Sequence, residues 1–164
     1  MAKSPKIAPC LWFDNQAEEA ARFYTGIFRK SKITAITRYG SAGFDVHHRP
    51  AGSVMTVEFE LDGRPYVALN GGPQLKFTEA VSFMVSCADQ DEVDRYWDAL
   101  VADGGEEGPC GWLKDRYGLS WQIVPDVLLE LTRSSDREVA ARVTQAMYGM
   151  RKLDVAGLEA AAAG

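Results

Sequence analysis

Apolar residues recur at helical spacing in two separate parts of the chain. The first stripe consists of Ala20, Phe23, Tyr24, Ile27 and Phe28, and the second of Val93, Tyr96, Trp97, Leu100 and Val101. Positions i, i+3, i+4, i+7 and i+8 share one side of a helix, so each stripe predicts an amphipathic helix. Because each residue of the second stripe follows its counterpart by the same 73 positions, the chain is predicted to contain an internal duplication.

Polar residues mark where the helices are expected to begin. Asn15 and Asp89 are each followed three residues later by Glu, which is the spacing of a capping box. Past the second copy, a short helix is predicted over 127–131, and Asp136 is predicted to open another. These last helices lie outside the repeat, so their apolar side either closes over the sheet or joins a second subunit.

Short apolar or alternating segments indicate strands around the two helices. They are 7–13, 33–39, 54–61, 66–69 and 81–87, together with a hairpin over 110–125. The order strand, helix, strand, strand, strand therefore occurs once and begins again. We predict an α+β fold with a first βαβββ module over 5–73, a second over 79–125 and a helical extension over 126–164, in one compact domain.

The hairpin over 110–125 reverses at Asp115 to Gly118 and carries an unusual face. Beyond the turn, Ser120, Gln122 and Val124 share one side of the strand, and Leu119, Trp121 and Ile123 share the other. A strand with an amide and a hydroxyl on one face forms either the wall of a cavity or an exposed edge.

Composition narrows the class of protein. Of 164 residues, 46% are hydrophobic, and 18 Lys and Arg against 23 Asp and Glu give a net charge of −5. Since no dense basic run occurs, nucleic acid is not expected as a partner.

The Met-Ala-Lys-Ser-Pro-Lys start and the short apolar segment broken at Pro9 predict neither a signal peptide nor a membrane span, and hence a cytoplasmic protein. The three cysteines lack CxxC spacing, so reduced thiols are expected.

Several segments resemble a known family. They are Phe23-Tyr24, Leu69-Asn70-Gly71-Gly72-Pro73, Ala80-Val81-Ser82-Phe83, Asp94-Arg95-Tyr96-Trp97 and Cys110-Gly111-Trp112-Leu113-Lys114-Asp115. Together with the repeat they resemble the PhnB-like branch of the vicinal oxygen chelate superfamily, which includes glyoxalase I, bleomycin-resistance proteins and extradiol dioxygenases. Many members of that branch are labelled 3-demethylubiquinone-9 3-methyltransferase. The resemblance implies two tandem modules that form a curved mixed sheet around a cavity.

The resemblance also implies where metal-dependent members of the superfamily would hold a metal ion. Its ligand positions fall on Pro9, Ala68, Ser82 and Gln122, and none of these is a normal ligand for a divalent cation. We therefore expect no metal and no other cofactor.

Methyl transfer finds no support among the glycines, because the common S-adenosylmethionine site needs a Gly-rich turn from strand to helix. Here Gly71-Gly72-Pro73 follows a hairpin strand, and Gly104-Gly105 ends a helix.

Other reactive residues give no catalytic set that can be named. His47 and His48 are adjacent in a loop, where their side chains diverge. Cys110 would need a base within hydrogen-bond reach. Glu58 and Glu60 alternate with Phe59, which is typical of a solvated strand face.

The remaining prediction is a small-molecule cavity. The predicted ligand-binding residues are Asn70, Ser82, Met84, Trp112, Ser120 and Gln122, with Leu11 and Phe13 as further apolar lining. A bulge at Gly111 would turn Trp112 outward, and the polar groups would satisfy one another if nothing binds. The first hypothesis is a metal-free, small-metabolite-binding homodimer.

Two other hypotheses stay open. One is an enzyme, either a lyase, isomerase or dioxygenase relative or the methyltransferase of the family label. The other is a structural or regulatory dimer whose cavity is filled by side chains.

Overall fold

The computed structural model describes residues 6–164. The chain divides into two compact units, the first ending at Lys76 and the second beginning at Phe77. Residue 5, where the first predicted module begins, and most of the start that was predicted to carry no leader lie outside the described residues.

The first unit contains one four-stranded mixed sheet and the helix that covers it. Its elements are β1 (Cys10–Phe13), α1 (Ala17–Ile27), β2 (Lys32–Arg38), α2 (Phe44–His47), β3 (Val54–Leu61) and β4 (Arg64–Asn70). The strand order is β1-β4-β3-β2, with β1 parallel to β4 and the other pairs antiparallel. The first strand of the module thus pairs with its last.

Helix α1 buries part of the predicted stripe against this sheet, whereas Phe23, Ile27 and Phe28 are only half-buried. Ala20, Ala21 and Tyr24 are fully buried, and the Tyr24 ring stacks on Phe59 of β3. The predicted cap at Asn15 is wrong, since Gln16 is the N-cap residue and its side chain makes no capping bond. The free N–H groups at a helix start need acceptors, and here one acceptor comes from a distant strand.

The second unit repeats the same topology. Its elements are β5 (Ser82–Cys87), α3 (Gln90–Val101), β6 (Glu106–Glu107), β7 (Trp112–Lys114) and β8 (Ser120–Pro125). The strand order is β5-β8-β7-β6, again with the first strand parallel to the last. This confirms the α+β class and the tandem βαβββ modules. The hydrogen bonds form two four-stranded sheets instead of the one sheet expected, because each module completes its own strand pairing.

Helix α3 begins as predicted. The carboxylate of Asp89 accepts a hydrogen bond from the backbone N–H of Glu92 at 2.9 Å, and the Glu92 carboxylate accepts one from the N–H of Ala88 at 3.0 Å. Val93, Trp97 and Leu100 of its apolar stripe are buried.

The C-terminal extension consists of α4 (Asp126–Thr132), α5 (Arg137–Tyr148) and α6 (Val155–Ala163). Asp136 caps α5 as predicted, since its Oδ1 accepts from the N–H of Glu138 at 2.9 Å. The three helices share a core with the last strand, formed by Val124, Leu128, Val143, Leu153 and Leu158. Within residues 6–164, no helix combines the length and the apolar character needed to cross a bilayer.

Candidate ligand-binding site

Strand register in the second unit assigns side chains to two faces of the sheet. Ser82 lies opposite Ser120, Met84 opposite Gln122, and Gln122 opposite Trp112. These five residues therefore share one face, because cross-strand partners point to the same side. The other face carries Phe83, Trp121 and Ile123 and packs against α3. Five of the six predicted ligand-binding residues thus lie together on the face away from α3.

One polar pair on this face is already satisfied. The side-chain amide of Gln122 donates to Ser82 Oγ at 2.9 Å. Met84 beside them is 56% exposed. The structure therefore shows Gln122 and Ser82 hydrogen-bonded to each other.

Ser120 differs from that pair. It is 1% exposed, and its Oγ has no hydrogen-bond partner among residues 6–164. Ser120 lines a hollow of about 340 Å³ within the second unit. The other lining residues are Glu79, Glu106, Glu107, Gly108, Pro109, Trp112, Leu113 and Lys114. A buried donor and acceptor therefore faces a space large enough for a small organic molecule.

A bend in the chain places Trp112 in this hollow. The N–H of Gly108 donates to the Trp112 carbonyl at 2.8 Å, and Trp112 N–H donates to the Pro109 carbonyl at 3.0 Å. Gly111 has φ of +82°, and a Cβ there would lie 2.8 Å from the Ile123 carbonyl oxygen. Only glycine fits this position. Trp112 is half-buried and lines the hollow, so the bend does not turn it away.

Lys114 supplies the one ammonium group among the described lining residues. Its Nζ lies 2.6 Å from Glu79 Oε1 and 3.6 Å from Glu106 Oε2. The hydrogen bond that Lys114 donates to Glu79, together with the two negative charges, raises the pKa of Lys114. The same hydrogen bond lowers the pKa of Glu79. Both groups therefore remain charged around neutral pH.

A buried carboxylate fixes the turn before Ser120. Asp115 is 2% exposed. Its Oδ1 accepts from the N–H groups of Tyr117 and Leu119 at 2.8 and 3.1 Å, and its Oδ2 accepts from Trp121 Nε1 at 2.8 Å. The Gly118 N–H closes the predicted turn onto the Asp115 carbonyl at 2.8 Å. Asp115 therefore sets the start of β8 and the register that carries Ser120.

Asn70, the sixth predicted site residue, lies in the first unit and holds its fold. Its Oδ1 accepts from the N–H of Ala17 at 2.8 Å, which supplies the cap that α1 lacks locally. Its Nδ2 donates to the Val54 carbonyl at 3.1 Å, and its carbonyl accepts from Tyr39 Oη at 2.7 Å. The polar groups of Asn70 are thus used within the first unit.

The register of the first sheet corrects part of the predicted lining. Leu11 pairs with Ala68, and Phe13 pairs with Asn70. All four are buried on the face covered by α1. Ala68 and the predicted lining residues Leu11 and Phe13 are therefore on the opposite side of the sheet from the one expected. A difference of one residue in register moves a side chain to the other face.

The histidines and cysteines do not join the hollow. His47 Nδ1 accepts from the Arg49 N–H at 2.9 Å, and the His47 ring lies 4.5 Å from the ring of Tyr39, in the first unit. All three cysteines are free thiols. Burial raises the pKa of Cys87 to about 12, so Cys87 is not a nucleophile at neutral pH.

Sequence reasoning missed Lys114 and the glutamates around it. Lys114 follows Trp112 by two residues, so alternation along β7 would have placed it on the same face. No local pattern brings Glu79 or Glu106 to the Lys114 ammonium group. Those contacts depend on the path of the chain before β5 and on strand β6.

The duplicated βαβββ topology, with the first strand of each module beside its last, defines a protein of the vicinal oxygen chelate superfamily. More specifically, the chain belongs to the family described as 3-demethylubiquinone-9 3-methyltransferase, whose family model matches residues 5–124. The match ends just before α4. None of the curated proteins matches the chain.

Solved structures agree with this assignment. The PhnB protein of Bacillus cereus is 32% identical, with a TM-score of 0.63 over 74% of this chain and 99% of that protein. A Pseudomonas aeruginosa protein is 20% identical, with a TM-score of 0.56 over 75% and 100% of the two chains. The fosfomycin resistance protein FosX of Listeria monocytogenes is 15% identical, with a TM-score of 0.51 over 78% and 98%. The Pseudomonas aeruginosa and Listeria monocytogenes proteins, at these identities, show that the fold is shared with this chain.

The described residues do not fit the metal that the superfamily implies. Ser82 and Gln122 are hydrogen-bonded to each other, and Ala68 is covered by α1. Within residues 6–164, no group of three or more His, Cys, Asp and Glu residues is arranged to hold a metal ion. A hydroxyl and a neutral amide make a weak donor set for a divalent cation.

The glycines also do not fit S-adenosylmethionine. Gly71 and Gly72 follow β4, and the next element is a strand. The Trp12 indole covers this position, since a Cβ on Gly71 would lie 2.2 Å from the ring, and Trp12 Nε1 donates to the Gly72 carbonyl at 2.8 Å. These glycines therefore serve the packing of Trp12, and we derive no methyl-transfer step.

Proposed function

We propose that this protein binds a small organic molecule in the hollow on the second sheet and does so without a resident metal. The observation that carries the proposal is the buried, unpartnered hydroxyl of Ser120 facing that hollow. A buried polar group without a partner costs about 1–3 kcal/mol. A ligand with one hydrogen-bonding group next to Ser120 would recover that free energy.

The rest of the lining has the composition of a ligand site. Trp112, Leu113 and Pro109 offer apolar surface, and Ser120 and Lys114 contribute polar groups. Small-molecule sites are mostly apolar with a few placed polar groups, and about 300 Å³ is the lower end of their usual volume. We therefore favour a compact ligand with one ring or a short chain.

Native mass spectrometry of the protein as purified tests this proposal. We expect a noncovalent mass above that of the 18.0 kDa chain, released on collisional activation and reduced in Trp112→Ala. Trp12→Ala is not a suitable control, because Trp12 packs on Gly71. Tyr148→Ala, at a 66% exposed aromatic residue of α5, is the matched control and should retain the mass. The proposal fails if no ligand is retained and no compound from a metabolite library raises the melting temperature.

The native mass spectrum also reports metal content, and we expect no stoichiometric metal. In a separate thermal-shift measurement we expect manganese, nickel and zinc to leave the melting temperature unchanged. An ion that binds only the folded state would raise the melting temperature. A rise that disappears in Gln122→Ala would instead favour the enzymatic hypothesis.

We also propose a homodimer that resides in the cytoplasm. The free state of all three cysteines supports a reducing compartment. A mass of two chains in the native spectrum is the expected result, and a single-chain mass at micromolar concentration would contradict the dimer.

A further inference from the structure

The charges around the hollow are unbalanced. Glu79, Glu106 and Glu107 line it, and Lys114 is the one cationic side chain among the described lining residues. Glu107 pairs with Leu113 and turns its carboxylate to the α3 side, so two carboxylates, those of Glu79 and Glu106, stand against one ammonium group and leave an excess of negative charge. The chain as a whole adds to this, with a net charge of −5.

The single cation is also already engaged. Lys114 Nζ contacts Glu79 at 2.6 Å and Glu106 at 3.6 Å. An anionic ligand that reached Lys114 would have to displace a carboxylate and would then lie beside it. Like charges in contact weaken binding, so the lining disfavours a carboxylate or phosphate on the ligand.

The three glutamates differ in what their carboxylates contact. Glu107 Oε1 accepts a hydrogen bond from Trp97 Nε1 at 3.1 Å, and Trp97 is 1% exposed. Glu107 pairs with Leu113 on the α3 side of the sheet, so this contact holds its carboxylate there, and Glu79 and Glu106 are the carboxylates that remain beside Lys114. The hydroxyl of Ser120 inside it can accept a hydrogen bond from an N–H group as well as donate one.

From these contacts we propose that the hollow selects ring-bearing ligands that carry an amine, over neutral ligands of the same shape, and rejects carboxylates. The inference rests on the proposed function, since it specifies the ligand of the same site. The ring would pack on Trp112 and Pro109, and the ammonium group would meet the carboxylates of Glu79 and Glu106.

Three probes with one ring system test the selection. Tryptamine, 3-methylindole and indole-3-acetate present a cation, a neutral group and an anion on the same indole. We expect tryptamine to bind the purified protein at least roughly fivefold more tightly than indole-3-acetate by isothermal titration calorimetry at low salt. The difference should shrink at 0.5 M salt, because partly exposed charges are screened.

A charge-neutralised variant provides the second arm. The double variant Glu79→Gln and Glu106→Gln should weaken tryptamine binding and strengthen indole-3-acetate binding, since it frees Lys114. Glu60→Gln removes a carboxylate of the other unit that pairs with Lys32 and is the matched control with no expected effect.

The outcomes separate the two proposals. Equal or tighter binding of indole-3-acetate, lost in Trp112→Ala, would overturn the amine selection and leave the ligand site in place. Failure of all three indoles to bind at millimolar concentration would overturn the amine selection. The ligand-site proposal itself would be overturned only if the purified protein retained no ligand and no compound of the metabolite library raised its melting temperature.

Discussion

A buried hydroxyl without a hydrogen-bond partner in the described part of the chain, such as that of Ser120, destabilises the folded chain. Buried polar groups are nearly always hydrogen-bonded, and exceptions call for an explanation. Ser82 on the same face has a partner in Gln122 at 2.9 Å, whereas Ser120 has none among the described residues. Ser82 and Ser120 lie on the same face of the sheet and differ in whether the hydroxyl has a hydrogen-bond partner. The two serines can therefore be compared directly.

Ser120→Ala is expected to stabilise the protein and to weaken ligand binding. Removing an unsatisfied buried hydroxyl should raise the free energy of unfolding by about 1 kcal/mol. Urea denaturation monitored by tryptophan fluorescence measures this, and tryptamine titration measures the loss of affinity. Ser82→Ala is the control and should lower the unfolding free energy by about 1 kcal/mol, because it leaves Gln122 without its partner. A loss of stability in Ser120→Ala would mean that its hydroxyl is already satisfied in the free protein.

Much of the residue-level information was accessible from sequence. The alternation along β8 placed Ser120 and Gln122 on one face, and Asp89 and Asp136 were recognised as caps because their partners lie within three residues. The cap of α1 is not recognisable from sequence, because the N–H of Ala17 donates to Asn70, which is 53 residues away. Side chains that act locally can be predicted from local pattern, and those that act across strands cannot.

At the scale of elements, the segment joining α5 to α6 holds the second unit together. We call residues 150–155 the strap. The N–H groups of Cys110 and Gly111 donate to the carbonyls of Met150 and Arg151 at 2.8 and 2.7 Å. Cys110 has φ of +57°, a left-handed conformation that a non-glycine residue rarely adopts. The strap therefore stabilises the strained bend that leads to Trp112.

The side chain of Gln90 fastens the strap to α3. Its Nε2 donates to the Leu153 carbonyl at 3.2 Å, and its Oε1 accepts from the Val155 N–H at 2.8 Å. Lys152 adds ion pairs at 3.1 Å to Asp94 and Asp98. Those pairs are partly exposed and contribute little at physiological salt, so the amide is the stronger link.

Gln90→Ala is expected to loosen the bend. Loss of the two bonds to the strap should lower the free energy of unfolding by about 1–3 kcal/mol. Amide hydrogen exchange at Cys110 and Gly111, measured by NMR, should become about tenfold faster for each 1.4 kcal/mol lost locally. Gln145→Ala, at an exposed glutamine of α5, controls for the substitution. Unchanged exchange at both amides would show that the strap does not depend on Gln90.

Element boundaries and faces differed in how well they could be predicted. The two long helices were found because each presents a continuous apolar stripe to its sheet. The face of β1 and β4 was assigned wrongly because Leu11 and Ala68 are apolar on either reading, and only the register decides which side they occupy.

At the scale of the molecule, the extension beyond the family match forms part of the core of the second unit. Val124 of β8 packs with Leu128, Val143, Leu153 and Leu158. Leu153 and Leu158 are fully buried, and a Cβ at Gly111 would lie 2.9 Å from Leu153 Cδ1. The family model ends at residue 124, so the helical layer on which β8 and the bend depend lies outside the matched residues.

Leu158→Ala tests that dependence at a residue outside the lining of the hollow. Truncating a fully buried leucine should lower the free energy of unfolding by about 2–5 kcal/mol. With 19F-labelled tryptophan, NMR can follow Trp97, Trp112 and Trp121 during urea unfolding, and all three should shift to lower urea because the extension and the second sheet share one core. Leu75→Ala, at a leucine that is 56% exposed, should shift none of them. If Leu158→Ala leaves the three midpoints unchanged, the extension folds independently of the sheet, and its helices contribute nothing to the site.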